Sequence, residues 1–379
     1  MDIITSPFSF GKKISKLIPN LQAVEAHRLK NNFQQKINTV LTGSRAVGKS
    51  SLVENVFSNF NNLSFYRCVF VDVLKCRNST DFYNFYLSKT LNALLDTKEE
   101  KLEWLKKIQP LLSAQANIII SDQGDSFQIN TNPQQSLSLL DIPEQIAKQK
   151  NFLLYICVEN AEEFFEMENN LEWLTALRET WDKQQKCVHC LLMNTKESFY
   201  ELVKNKNAPF FHFADEITIS SLSVTDELLQ YLMTGFAYSG KTISKELAAR
   251  LAYLVGGNPY YLKMLAHSVW ENTKGSVSEE IISASLNELV ARQHTFFKKE
   301  FSGLSAVQKK LVLALAENPD AKLTSYESLK KFNINSSAAL VRAYQGLEKK
   351  EIIDAWSEKP LFLNPLFKYW LLDFMIKQN

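Results

Sequence analysis

The segment Gly43-Ser44-Arg45-Ala46-Val47-Gly48-Lys49-Ser50 has the spacing G-x-x-x-x-G-K-S, between an apolar run (Ile37 to Thr42) and a helix-forming stretch (Ser51 to Phe57). Few short patterns constrain a fold as tightly. A strand, a glycine-bounded loop and a helix, in that order, make a phosphate-binding loop. The glycines let the backbone curl until successive N–H groups point inward at phosphate oxygens, and the helix N-terminus adds partial positive charge. In such a loop Lys49 reaches the β- and γ-phosphates and the Ser50 hydroxyl ligates Mg²⁺. Amides from Gly43 through Ser51 complete the cradle. An ordinary turn does not require both glycines, the lysine and the serine in register. The motif therefore implies a nucleoside triphosphate, with ATP and Mg²⁺ as the expected ligands and the choice of base left open.

The chain has 379 residues, which suggests two or three domains. A hydrophobic content of 45% against 22% charged residues describes a core-forming protein and excludes a disordered one. Its net charge of +2 is too small to imply a nucleic-acid partner for the whole molecule. No run of about 18 apolar residues occurs, so no membrane span is expected. The N-terminus lacks a basic segment leading into an apolar one, and five scattered cysteines read as reduced thiols, so a cytoplasmic location is expected. Cys187-Val188-His189-Cys190 is the one tight cysteine cluster. It runs on into Leu191-Leu192-Met193 and reads better as a buried strand than as half of a zinc site.

Up to about residue 220, strand-like and helix-like stretches alternate, the pattern of a parallel α/β sheet flanked by helices. Strands are expected at 37–42, 65–73, 152–158, 188–193 and 216–219, with helices at 82–95 and 171–181 between them. Residues 117–130 read as a β-hairpin added to the sheet edge. From 221 the pattern turns helical. Caps at Ser223 to Asp226 and at Ser244, then Gly256-Gly257-Asn258-Pro259, mark an all-helical lid reaching to about 300. The final part, 301–379, shows helices at 304–317, 324–332 and 336–347. A short hairpin around Pro360 and a last helix at 366–377 follow, the order of a winged helix.

A triphosphate site usually adds an acidic residue at the tip of a nearby strand. Leu153 to Val158 is an apolar run ending in Glu159, which suits a buried strand carrying a metal-binding carboxylate at its tip. Glu159 is thus expected to join Ser50 at the metal and Lys49 in catalysis. The next residue, Asn160, cannot accept a proton and so cannot be a general base. Glu162 or Glu163 could stand in for it, or both could be solvated charges at a helix start. Asp72, ending another apolar strand, is either a second acidic residue near the phosphates or a simple cap. Asn194-Thr195 is either a phosphate or water contact or a plain turn.

Taken together, these residues resemble the prokaryotic ATPases of the STAND/AAA-type P-loop superfamily, especially the archaeal-type ATPase family. The resemblance spans the whole chain. It rests on the loop with its internal Arg45, the strand ending in Glu159 and Leu177-Arg178-Glu179-Thr180-Trp181. It rests further on Gly256-Gly257-Asn258-Pro259-Tyr260-Tyr261-Leu262 and the tail Asn364-Pro365-Leu366-Phe367-Lys368-Tyr369-Trp370-Leu371. It implies that Pro259 lies near the nucleotide and that Arg178 is a candidate contact across subunits of a homo-oligomer. The chain departs from the family pattern in three places. Gln22 stands where an Arg precedes Glu25, Glu159-Asn160 replaces Asp-Glu, and Asn194-Thr195 replaces Gly-Ser. The departures favour nucleotide binding over rapid hydrolysis.

From Ala291 onward the chain carries 14 Lys and Arg against 9 Asp and Glu. That surface suits phosphate contacts with DNA. The expected recognition helix, Ser336 to Gly346, has few long polar side chains for base edges, so a protein partner is an equal expectation. Two functions follow from the sequence, an ATP-dependent switch that hydrolyses slowly and a nucleotide-dependent scaffold that does not hydrolyse. A small-molecule kinase fits less well, because it has no use for the lid and winged helix.

Overall fold

The computed structural model describes residues 5–11, 22–58, 65–111, 138–167, 170–318, 336–354, 356 and 360–377. The hairpin expected at 117–130 and the helix expected at 324–332 lie outside these residues. The chain forms two compact units. One comprises Ala23–Gly43 and Lys49–Ile219, the other Met1–Gln22, Ser44–Gly48 and Ser220–Asn379.

The first unit is built on a five-stranded parallel sheet. Its strands are β1 (Thr39–Thr42), β2 (Tyr66–Asp72), β3 (Leu153–Glu159), β4 (Cys187–Met193) and β5 (Asp215–Thr218), in the order β2-β3-β4-β1-β5. The interior strands are the buried ones. Every residue of β1 and β4 is buried, as is the middle of β3, as expected for strands covered on both faces. The register places Thr39 between Cys190 and Asp215 and ends with Asp72 opposite Glu159. After β1 the chain crosses to β2 at one edge, and after β4 it crosses to β5 at the other. Ligands bind at the carboxyl ends of strands where connections diverge in this way.

Among the described residues, the longer helices of this unit are α1 (Ala23–Gln35), α2 (Lys49–Ser58), α3 (Ser79–Leu94), α4 (Lys98–Ile108), α5 (Ile142–Lys150) and α6 (Asn170–Asp182). Asp215 ties α1 to β5, accepting from Arg28 Nε and Asn32 Nδ2, each at 2.8 Å. Burial works to raise the Asp215 pKa, but the Arg28 and Asn32 hydrogen bonds prevail and hold it below the ordinary range. His189 sits in the middle of β4 with the Trp181 ring stacked on it, centroids 4.1 Å apart. Burial pushes its pKa down to about 3, so it is a neutral core residue. The Cys187–Cys190 run is the buried strand its apolar neighbours suggest.

In the second unit, α7 (Asp226–Ala237), α8 (Lys245–Leu254), α9 (Pro259–Asn272), α10 (Glu279–Arg292) and α11 (His294–Ser302) follow one another. Then come α12 (Ala306–Glu317), α13 (Ser337–Lys349) and α14 (Pro365–Leu371). Caps read from the sequence are in place. Thr225, Ser244 and Ser336 each accept a first-turn N–H, and Asn258 accepts two, from Tyr260 and Tyr261. Between α13 and α14 the chain turns back on itself. Asp354 N donates to Leu361 O at 2.8 Å and Leu363 N to Ile352 O at 2.9 Å, around the antiparallel bridge Ile353–Phe362. This hairpin after α13 is the wing of a winged helix. One core runs through the unit and includes Leu232, Leu265, Leu311, Leu347 and Trp370. Phe8 joins that core, its ring lying over Gly235, where even a Cβ would stand 2.5 Å from Phe8 Cζ. Among the described residues no helix is long and apolar enough to cross a membrane.

Candidate functional site

The Gly43–Ser50 segment leaves the carboxyl end of β1 and enters α2 at Lys49. Three residues take positive φ to make the bend, Gly43 (139°), Ala46 (66°) and Gly48 (101°). Lys49 is buried, and its Nζ donates to Gly43 O at 2.5 Å, closing the loop. Ser50 and Ser51 occupy the first turn of α2, both half-buried. Ser44 and Val47 are buried, Arg45 is half-buried and Ala46 is exposed.

Ser44–Gly48 pack with the second unit. Gln22 Nε2 donates to Val47 O at 3.2 Å. A Cβ on Gly48 would stand 3.8 Å from Gln22 Oε1 and 3.9 Å from Pro259 Cγ. The first residue of α9 therefore borders the loop. Pro259 is held there by two adjacent glycines. Gly257 (φ 68°) accepts the Leu222 N–H at 2.9 Å, and a Cβ on it would lie 2.0 Å from Leu222 O.

The tips of β2, β3 and β4 carry a continuous chain of polar contacts. Asn160, in the left-handed region (φ 54°, ψ 46°), donates from Nδ2 to Asp72 Oδ1 at 2.8 Å. Its Oδ1 accepts from Asn194 Nδ2 at 3.0 Å. Asn194 in turn donates from Nδ2 to Glu162 Oε1 at 2.5 Å and from its backbone N to Glu162 Oε2 at 3.2 Å. Glu162 is buried, so its carboxylate is matched by amide donors instead of water. Asp72, Asn160 and Asn194 were each visible in the sequence as an isolated strand-end polar group, and Glu162 as a charge in the following turn. Their linkage depends on the strand order and was not. Thr195 Oγ1, next to Asn194, is buried with no hydrogen-bond partner among the described residues.

Among the described residues no three or more His, Cys, Asp or Glu cluster as an all-protein metal site. A nucleotide-borne magnesium does not need one. It takes one or two protein oxygens, with phosphates and waters supplying the rest. The donor set fits that demand, a hydroxyl at Ser50 in the first turn of α2 and a half-buried carboxylate at Glu159 on the β3 tip.

No protein-family model and no curated protein matches the chain. Among solved structures it is similar to the Walker-type ATPase PABY2304 of Pyrococcus abyssi, with 13% identity, a TM-score of 0.66, and coverage of 96% of this chain and 99% of that one. It is also similar to the Aeropyrum pernix ORC1 protein solved in complex with DNA, with 10% identity, a TM-score of 0.52, and coverage of 97% and 98%. At such identities the likeness concerns the fold. The chain has the fold of the archaeal P-loop ATPases, a parallel sheet flanked by helices with a winged helix at the C-terminus.

Proposed function

We propose that the chain binds ATP with Mg²⁺ and works as a conformational switch of the STAND/AAA type that hydrolyses ATP slowly. The observation that carries this reading is the loop itself. Three positive-φ residues bend Gly43–Ser50 at the end of an interior parallel strand, and a helix begins at Lys49. Amides of Gly43 through Ser51 would cradle the phosphates. Lys49 would exchange its Gly43 carbonyl for phosphate oxygen and neutralise charge on the transferring group. Ser50 and Glu159 would hold the magnesium, which when bound neutralises charge between the β- and γ-phosphates. Pro259 would border the nucleotide.

In this reading residues 1–220 handle the nucleotide, 221–300 form the lid, and the winged helix at 301–379 meets a partner. The basic excess after Ala291 and the DNA-bound state of the ORC1 protein support DNA as that partner. The small and apolar side chains of α13, such as Ala338 and Val341, support a protein instead. A homo-oligomer would present Arg178, now paired with Asp182 at 3.2 Å, to a neighbouring subunit. The reduced cysteines suit the cytoplasm.

A second reading, a scaffold that binds ATP without turnover, is favoured by Asn160, an amide engaged with Asp72 where a base is usual. Calorimetric ATP titration and Mg²⁺-dependent phosphate release test both. Lys49→Ala should weaken ATP binding about ten- to hundred-fold, the worth of a charge-assisted hydrogen bond. Unchanged affinity in that variant removes the reading. Phosphate release lost in Glu159→Ala supports the switch, and tight binding with no release in the unaltered protein supports the scaffold.

A further inference from the structure

Two side chains of the phosphate loop end on carboxylates at the end of α13 and in the hairpin that follows it, about three hundred residues away in sequence. Ser44 Oγ donates to Asp354 Oδ1. Arg45 Nε faces both oxygens of Glu351, at 2.7 and 2.9 Å. Neither acid is a loose surface group. Asp354 Oδ1 also accepts from Trp356 N at 2.8 Å, and the Asp354 backbone is pinned to Leu361 across the hairpin. Glu351 ends α13 in the left-handed region (φ 53°), with Ile352 N returning to Leu347 O at 2.9 Å. That is a helix-stop position which favours glycine. A glutamate held there delivers its carboxylate to a fixed place beside the loop.

The charges conflict with the loop's expected ligand. Donors arranged for a polyphosphate have two carboxylates on their flank, and like charges brought together in a partly buried setting oppose one another. The Arg45–Glu351 pair is partly exposed, so the contact is weak enough to open. A cavity lined by Gly256, Asn258, Asp354 and Tyr369 lies beside it, which gives the aspartate space to leave.

We propose that Glu351 and Asp354 form an autoinhibitory latch. They hold Ser44 and Arg45 while the loop lacks polyphosphate, and a nucleoside triphosphate on the loop expels them and frees the hairpin that follows α13. This rests on the nucleotide-binding reading of Gly43–Ser51. By linkage, the latch weakens triphosphate binding by the same factor that the triphosphate weakens the latch.

The test pairs ATP affinity with amide hydrogen exchange over residues 337–371, in the full-length protein and in Glu351→Gln/Asp354→Asn. The double variant should bind ATP about five- to 150-fold more tightly, the usual span of coupling between linked sites. ATP should speed exchange in that segment of the unaltered protein and leave it unchanged in the variant. Glu351→Gly, which suits the positive φ, should shift affinity in the same direction and guards against misfolding of the double variant. Equal or weaker binding by the variants overturns the latch, as does exchange that ignores ATP. Binding by neither protein overturns the nucleotide reading as well, whereas equal binding by both overturns the latch alone.

Discussion

Asn160 donates its side-chain amide to Asp72 at 2.8 Å, so the residue after the β3 tip is a donor held by a carboxylate on the neighbouring strand. The acid of the pair stands on β2, and the residue closer in order to β4 and β1 is the amide. Exchanging the two keeps one donor and one acceptor while moving the carboxylate to the β3 side. In Asp72→Asn/Asn160→Glu, steady-state phosphate release should rise at least tenfold, a conservative floor below the about 10²–10⁴-fold that a positioned general base contributes. The single change Asn160→Glu faces two carboxylates together and should fold less stably than the exchange. A double variant no faster than the starting protein would show that position 160 does not limit turnover.

Strands β3 and β4 were legible because each is a mostly apolar run of seven residues, whereas β1 and β5 are four-residue strands that also carry Thr, Asp or Glu. Boundaries fell within about two residues of the expected ones, the usual uncertainty of strand ends. Helices α1, α4 and α5 are absent from the expected pattern. The Lys- and Glu-rich α4 shows little apolar face, although its capping box, Thr97 with Glu100, stood in the sequence. Helix α5 carries Pro143 in its first turn, a start signal that is easily mistaken for a stop. Asp72, Asn160 and Asn194 could be named singly from strand ends, and Glu162 from the turn after β3. The hydrogen-bond chain joining them, and the Ser44–Asp354 contact, arise only from chain crossings that local pattern does not encode.

Gly256 and Gly257 share positive φ, 58° and 68°, but not surroundings. A Cβ at Gly256 meets open space, whereas one at Gly257 would sit 2.0 Å from Leu222 O. Gly256→Ala should therefore cost about 1–2 kcal/mol, the left-handed backbone penalty alone. Gly257→Ala must also push the Leu222 backbone away, and should cost about 2–4 kcal/mol. Urea unfolding of the two variants checks the difference. Equal losses would mean that the close approach to Leu222 has no energetic weight.

Lys263 of α9 is buried, and no hydrogen bond or ion pair to its ammonium occurs among the described residues. Burial lowers its pKa to about 8 from an ordinary 10.5. Between those values the unfolded chain holds a proton that the folded chain has released. Unfolding free energy should consequently rise with pH across that window, by at most about 1.4 kcal/mol per pH unit. Below about pH 8 the folded state carries the full burden of an uncompensated charge. Lys263→Met keeps the length of the stem and removes the charge. It should be more stable than the unaltered protein at neutral pH by about 1–3 kcal/mol, with the gap closing toward pH 10. Buried tyrosines such as Tyr83 and Tyr231, whose pKa values are pushed up to about 12, weaken both proteins alike at high pH. The readout is thus the difference between paired urea midpoints. A gap that stays constant with pH, or a variant less stable at pH 7, would show that Lys263 finds a counter-charge in solution.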